Sequence, residues 1–249
     1  MAVDTSYQHL APHYDALMAT VPYEAWADYL ERIFSVLQKK PRTLLDLATG
    51  TGSVAFALAK RGYRVTGVDI ARPMLEIARA KARRQGVRVR FVEQDITQLA
   101  LTQRFEAAVC LYDSLNYILD PADLRRGLER VHRVLKPEGI FIFDLNSAHS
   151  YEQELFTQEE MDPGTPVRYQ WRSRYNPETR VATVRMEFWV DRTGEHFTEV
   201  HQQRAYSVLE VVQWLREAGF DVCGLYHAYS LHPPEATTER IFFLARHPV

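Results

Sequence analysis

Cysteine is nearly absent from this sequence. Only Cys110 and Cys223 occur in 249 residues, and both sit inside apolar runs. Two thiols so placed read as small buried hydrophobes, which argues against a disulfide framework or a cysteine zinc site. No metal site is expected. Long hydrophobic runs are missing too: nothing approaches the ~18 consecutive apolar residues of a membrane span. The first residues carry Asp4 and lack a basic stretch ahead of an apolar core, so no signal peptide is expected. Nor is there an excess of one charge. The 30 basic and 32 acidic residues leave a net charge of -2, without the strongly basic footprint of a nucleic-acid binder. Internal repeats and low-complexity stretches are also lacking. A cytoplasmic globular protein is the default expectation.

What is present suits one large domain, or one domain with an insertion of modest size. Residues 1–40 read as an amphipathic helical cap. Tyr14, Leu17 and Met18 recur at helical spacing, as do Trp26, Leu30, Ile33 and Leu37. From residue 42 short apolar runs alternate with helical patterns. Strands are expected at Thr43–Ala48, Tyr63–Val68, Val87–Val92, Phe105–Tyr112 and Ile140–Leu145. Asp120 and Pro121 mark a helix start, with Leu124, Leu128, Val131 and Leu135 as its apolar stripe. This rhythm argues an α/β fold with a mainly parallel sheet and helices on both faces.

Residues 166–206 break the rhythm. Ala182, Val184, Met186, Phe188 and Val190 alternate with more polar neighbours, the period of a half-buried strand. With the turn signals at Asn176-Pro177 and Thr193-Gly194, a three-stranded antiparallel meander is expected there, either a lid or an extension of the sheet. The α/β pattern resumes with a capping box at Ser207 and Glu210, a helix to Gly219, and two strands at Phe220–Tyr229 and Ile241–Arg246.

The richest segment is Leu44-Leu-Asp-Leu-Ala-Thr-Gly-Thr-Gly52. A buried strand ends there, glycines permit a tight turn, and a helix begins with free N–H groups. Gly50, Gly52 and Ala55 satisfy a loose dinucleotide pattern. Asp46, however, suits a ligand with a cationic amino group better than a pyrophosphate. Asp69 is placed to accept ribose hydroxyls. Asp95 is placed to accept from an adenine amine, with Ile70 and Ile96 on either side of the ring. Three successive strands thus end in Asp at the carboxyl edge of the sheet, where open α/β sheets bind ligands.

This constellation resembles the class I S-adenosylmethionine-dependent methyltransferases, from about Tyr7 to the C-terminus. The turn from Asp46 to Gly52, Val68-Asp69, Gln94-Asp95-Ile96 and Leu135-Lys-Pro-Glu-Gly139 are similar to that family's motifs. Glu138 stands where the family often has a second glycine. The resemblance implies a Rossmann-like, seven-stranded mixed sheet with the last strand antiparallel, in a single domain over 1–249. It implies S-adenosyl-L-methionine as cofactor, held by Tyr14, Asp46, Ala48, Gly50, Gly52, Asp69, Ile70, Met74, Gln94, Asp95, Ile96 and Tyr112, with Tyr14 near the methionine portion. The segment after the fourth strand lacks the Asn/Asp-Pro-Pro-Tyr signature of enzymes acting on nucleic-acid or protein nitrogens. The layout looks closest to sugar N-methyltransferases and related small-molecule enzymes, the meander at 166–206 being like their lid sheets.

The expected activity is methyl transfer to a nitrogen or oxygen of a small-molecule acceptor. Membrane and nucleic-acid partners are not expected; a homodimer is an allowed assembly. A hydroxyl acceptor gains from a general base, for which His201 and His149 are candidates. Asn116, Tyr117 and Asn146 are placed to orient the acceptor, and Arg172, Tyr175 and His201 to recognise it from the meander. The alternatives are an NAD-dependent oxidoreductase and a non-catalytic cofactor-binding protein.

Overall fold

The computed structural model describes residue 7 and residues 9–249. The start of the expected 1–40 cap, including Asp4, lies outside the described residues. The elements in chain order are α1 (Ala11–Leu17), α2 (Tyr23–Val36), β1 (Thr43–Leu47), α3 (Ser53–Lys60), β2 (Arg64–Asp69), α4 (Arg72–Gln85), β3 (Arg90–Glu93) and β4 (Phe105–Cys110). Then come α5 (Pro121–Val134), β5 (Leu135–Asn146), α6 (Ala148–Glu152), β6 (Gln158–Glu160), β7 (Arg168–Asn176), β8 (Val181–Val190) and β9 (Glu195–Arg204). The chain closes with α7 (Val208–Glu217), β10 (Asp221–His227) and β11 (Arg240–Arg246). Single 3-10 turns follow β3 at Ile96–Gln98 and β4 at Ser114–Tyr117. No described helix is long and apolar enough to cross a membrane.

Seven strands form one mixed sheet in the order β10-β11-β5-β4-β1-β2-β3. β1 to β5 pair in parallel, while β11 runs antiparallel to both β5 and β10. The central strands are buried on both faces, which is why they read as continuous apolar runs. Along β5, Phe141, Phe143 and Leu145 pack with Leu128, Val131 and Leu215 of α5 and α7. Ile140 and Ile142 point the other way, to Leu30 and Ile33 of α2 and Leu58 of α3. The caps follow the local code: Asp120 accepts from Ala122 N at 2.8 Å, and Ser207 and Glu210 form a full capping box.

β5 starts five residues earlier than its apolar run. The turn around Glu138 bends inside the strand, and Glu138 N donates to His247 O at 2.9 Å. Glu138 has φ 65°, the left-handed backbone that glycine adopts without strain. That explains why a glycine suits this position.

The insertion differs from the three strands expected over 166–206. It is a four-stranded antiparallel sheet in the order β6-β7-β8-β9, beginning at Gln158. β6 is three residues long and carries no apolar alternation, so periodicity had nothing to detect. The inward side of β8, Val184 to Val190, packs on Leu10 and Val167 and against Tyr7, Tyr14 and Leu17. The second sheet therefore seats the N-terminal segment.

Gly67 of β2 pairs with Asp46 of β1. A Cβ there would lie 2.8 Å from Thr49 Oγ1 and 2.9 Å from Phe91 Cδ1. Gly67→Ala should destabilise the fold by about 1–3 kcal/mol through overpacking, read as a lower urea midpoint. An unchanged midpoint would show that Thr49 and Phe91 yield freely.

Candidate active site

The strand order reverses at β1, which lies between β2 and β4. Chains leaving the carboxyl ends there diverge and open a crevice. The turn leaving β1 uses left-handed backbone at Ala48 (φ 52°), Gly50 (φ 54°) and Gly52 (φ 83°). It bends under a cavity of about 700 Å³, roofed by α1, α2 and the loop after β4.

Asp46 is 2% exposed and accepts from Thr49 Oγ1 at 2.5 Å. Burial pushes its carboxyl up to about 7, aided by the nearby Asp69 charge and opposed by the Thr49 hydrogen bond. Asp69 accepts from Gly50 N at 2.7 Å and Ala71 N at 2.8 Å. Asp95 caps the turn after β3, accepting from Thr97 N at 2.8 Å and Thr97 Oγ1 at 2.7 Å. All three carboxylates line the cavity, as do Tyr14, Ala48, Gly50, Ile70, Met74, Gln94, Ile96, Tyr112 and Tyr117.

Gly52 does not line it. A Cβ there would meet Phe56 and Phe91 at 3.1 Å, so this glycine serves the turn and the packing beneath it. Asn116 also faces away from the cavity. It is fully buried, its Nδ2 donating to Arg204 O at 2.8 Å and its Oδ1 accepting from Asn146 N at 3.0 Å. It staples the loop after β4 to β5 and β9 rather than presenting a group to an acceptor. His201 is 1% exposed and does not line the cavity; it bonds Tyr117 and packs edge-on against Tyr7, both of which do. Arg172 pairs with Glu159 in solvent, and Tyr175 stacks on Tyr151. Neither lines the cavity, nor do Asn146 and His149. The apolar face of β8 demanded cover and took the N-terminal segment, which leaves the meander behind the cavity wall.

Several residues that shape the site escaped the sequence reading. Lys81 Nζ donates to Asp15 Oδ1 at 2.8 Å and to Thr51 Oγ1 at 3.2 Å, tying α1 to the glycine turn. Its signal was its place on the buried face of α4 with Met74 and Ala78. Asp144 accepts from the N–H groups of Tyr112 at 2.7 Å and Asp113 at 2.9 Å. Arg240 bonds Asp144 and also Asp113 Oδ1, the latter at 2.7 Å. This knot holds Tyr112 and Asp113 at φ 66° and 51°. An acid inside the apolar run of β5 was the available signal, because a buried charge requires a partner.

A family of methyltransferase domains matches residues 44–139. A protein of Geobacillus sp. (strain WCH70) named as a methyltransferase is 32% identical over 97% of this chain and 99% of its own length. The chain belongs to the class I S-adenosylmethionine-dependent methyltransferases. The crystal structure of such an enzyme from Clostridium acetobutylicum ATCC 824 superposes with TM-score 0.86 and 30% identity, covering 98% of this chain and 99% of that one. The sugar N-methyltransferase KedS8 from Streptoalloteichus sp. ATCC 53650 shares the fold, with TM-score 0.79 and 22% identity over 95% and 93% of the two chains. The oxidoreductase alternative finds no support among these relatives.

The donor and acceptor set of the methyltransferase fits S-adenosylmethionine. The Asp46 and Asp69 carboxyl groups and the apolar side chains of Ile70 and Ile96 line one cavity, a set that suits a ligand combining an ammonium group, a diol and an aromatic ring. Asp46 also sets a pH dependence. Its folded pKa stands above the usual value near 4, so the folded protein holds its proton where the unfolded chain has lost it. The free enzyme should therefore lose stability from this group as pH rises from about 4 to about 7, and level off above. Asp46→Asn should flatten that loss by on the order of a few kcal/mol, seen by comparing unfolding midpoints of the two proteins across this range.

Proposed function

We infer that this methyltransferase transfers a methyl group to a nitrogen or oxygen of a small molecule held beside the cofactor. The observation that carries the reading is the shape of the cavity. Beyond the carboxylates its wall is made by Tyr7, Trp26, Tyr117, Ile118 and Leu119, and α1 closes it on one side, tied down by Asp15 and Lys81. A pocket of about 700 Å³ under such a roof has the dimensions of a small-molecule site. KedS8, a sugar N-methyltransferase by name, is in keeping with this reading.

The bound cofactor supplies an electrophilic methyl group. The protein has to hold the acceptor's lone pair in line with it, and such positioning supplies roughly 7–11 kcal/mol of a bimolecular barrier. A roof over the cavity favours exclusion of water from the reacting pair.

Calorimetry should detect S-adenosylhomocysteine binding and no NADH binding. Asp69→Ala should weaken the former by roughly 1–3 kcal/mol, the scale of hydrogen bonds to a charged group. Turnover of S-adenosylmethionine against a metabolite panel then finds the acceptor. Saturable NADH binding with no response to S-adenosylhomocysteine would end the reading.

A further inference from the structure

A polar file leaves the cavity wall at Tyr117 and runs into the second sheet. Tyr117 Oη lies 2.9 Å from His201 Nδ1, and His201 Nε2 lies 2.8 Å from Glu199 Oε2. Tyr7 Oη donates to Tyr117 Oη at 2.9 Å. Glu199 also accepts from the backbone N–H groups of Tyr7 at 3.0 Å, His9 at 3.1 Å and Leu10 at 3.0 Å. Glu199 is 6% exposed and His201 1%.

A carboxylate that takes three backbone N–H groups is ionised and only accepts. Burial raises the Glu199 carboxyl, but hydrogen bonds from His201, Leu10 and Tyr7 overcome this and hold it below its ordinary value. His201 therefore donates from Nε2 to Glu199, which leaves its Nδ1 to accept from the Tyr117 hydroxyl. Glu199 alone would anchor the N-terminal segment. A buried histidine joined to a phenol that lines the cavity is not needed for that, and burying it has a cost.

We propose that Tyr117, His201 and Glu199 are a proton relay for methyl transfer, and that the acceptor atom is a hydroxyl oxygen rather than an amine nitrogen. This rests on the reading of the cavity as a small-molecule methylation site. A neutral amine attacks with its lone pair and sheds its proton to water afterwards. A hydroxyl must lose its proton as it attacks, and a base positioned beside it accelerates that step. The acceptor oxygen forms the new C–O bond as the methyl–sulfur bond breaks, its electron pair staying on sulfur as a thioether. The hydroxyl proton moves to Tyr117 Oη while the Tyr117 proton moves to His201 Nδ1. The resulting imidazolium rests against the Glu199 carboxylate. Burial, with the Asp113 charge nearby, raises the Tyr117 hydroxyl well above its ordinary value, so Tyr117 passes a proton on without standing as a free phenolate. Tyr117 is the catalytic residue; His201 and Glu199 act through it.

The test uses phenols of graded acidity and a matched set of primary amines as probe acceptors, at pH 8 with S-adenosylmethionine. Phenols should be methylated and amines not. Tyr117→Phe and His201→Gln should lower kcat/KM for a phenol that is protonated at this pH by about 10²–10⁴-fold. The loss should shrink to under about tenfold for 4-nitrophenol, already ionised and in no need of a base, with S-adenosylhomocysteine affinity kept within about twofold. Equal losses across the phenols, or turnover confined to amines, would overturn the relay. Absence of S-adenosylhomocysteine binding to the wild type would instead overturn the underlying methyl-transfer reading. Long-range ¹H–¹⁵N NMR gives a readout without turnover, and it decides the matter if no probe reacts. His201 should show the Nε2–H tautomer, with an Nδ1 shift that moves in Tyr117→Phe; an Nδ1–H tautomer would overturn the proposal.

Discussion

The position of β1 between β2 and β4 constrains everything that surrounds the site. Parallel strands on both sides force the connections at their carboxyl ends apart. The gap is floored by the turn after Leu47 and flanked by the ends of β2 and β4. Side chains at these ends converge because the strands register together, Asp46 standing opposite Gly67 on one side and Val109 on the other. Gly67 has no side chain to crowd Thr49, which leaves Thr49 free to bond Asp46.

A charge buried beneath the loop after β4 is tolerable because a distant element answers it. Asp144 of β5 meets Arg240 of β11, and together with Asp113 they brace the loop that carries Tyr112 and Tyr117. That arrangement depends on β11 entering antiparallel beside β5, which places Arg240 opposite Asn146, two residues beyond Asp144. Such pairs contribute little net stability but are costly to break from one side, so they specify geometry more than they strengthen the fold.

The second sheet acts on the cavity at one remove. Its apolar face seats Leu10 and the rings of Tyr7 and Tyr14, while Glu199 binds the backbone at Tyr7, His9 and Leu10. The inward positions of β9 are polar at Glu199, His201 and Gln203, and they meet the N-terminal segment, Tyr117 and Asp113 respectively. One strand thus holds the roof and the loop after β4 in a common frame.

The sequence by itself determined the alternation of strands and helices, the glycine turn and the three strand-end carboxylates. Each depends on contacts a few residues apart or on a local period, and such signals survive in a linear text. Asp46, Asp69 and Asp95 were legible because a strand's carboxyl end has a known fate in an α/β sheet. Gly52 and Asn116 were misplaced on the cavity because spacing locates a residue along the chain but not the side to which it turns. Asp15 and Lys81 lie 66 positions apart, Asp144 and Arg240 96, Tyr117 and His201 84, and His201 and Glu199 2. Only the close pair could be seen in the chain, and its meaning lay in the distant tyrosine. The tertiary structure decided those meetings, because strand order and register, not sequence distance, bring such groups within reach.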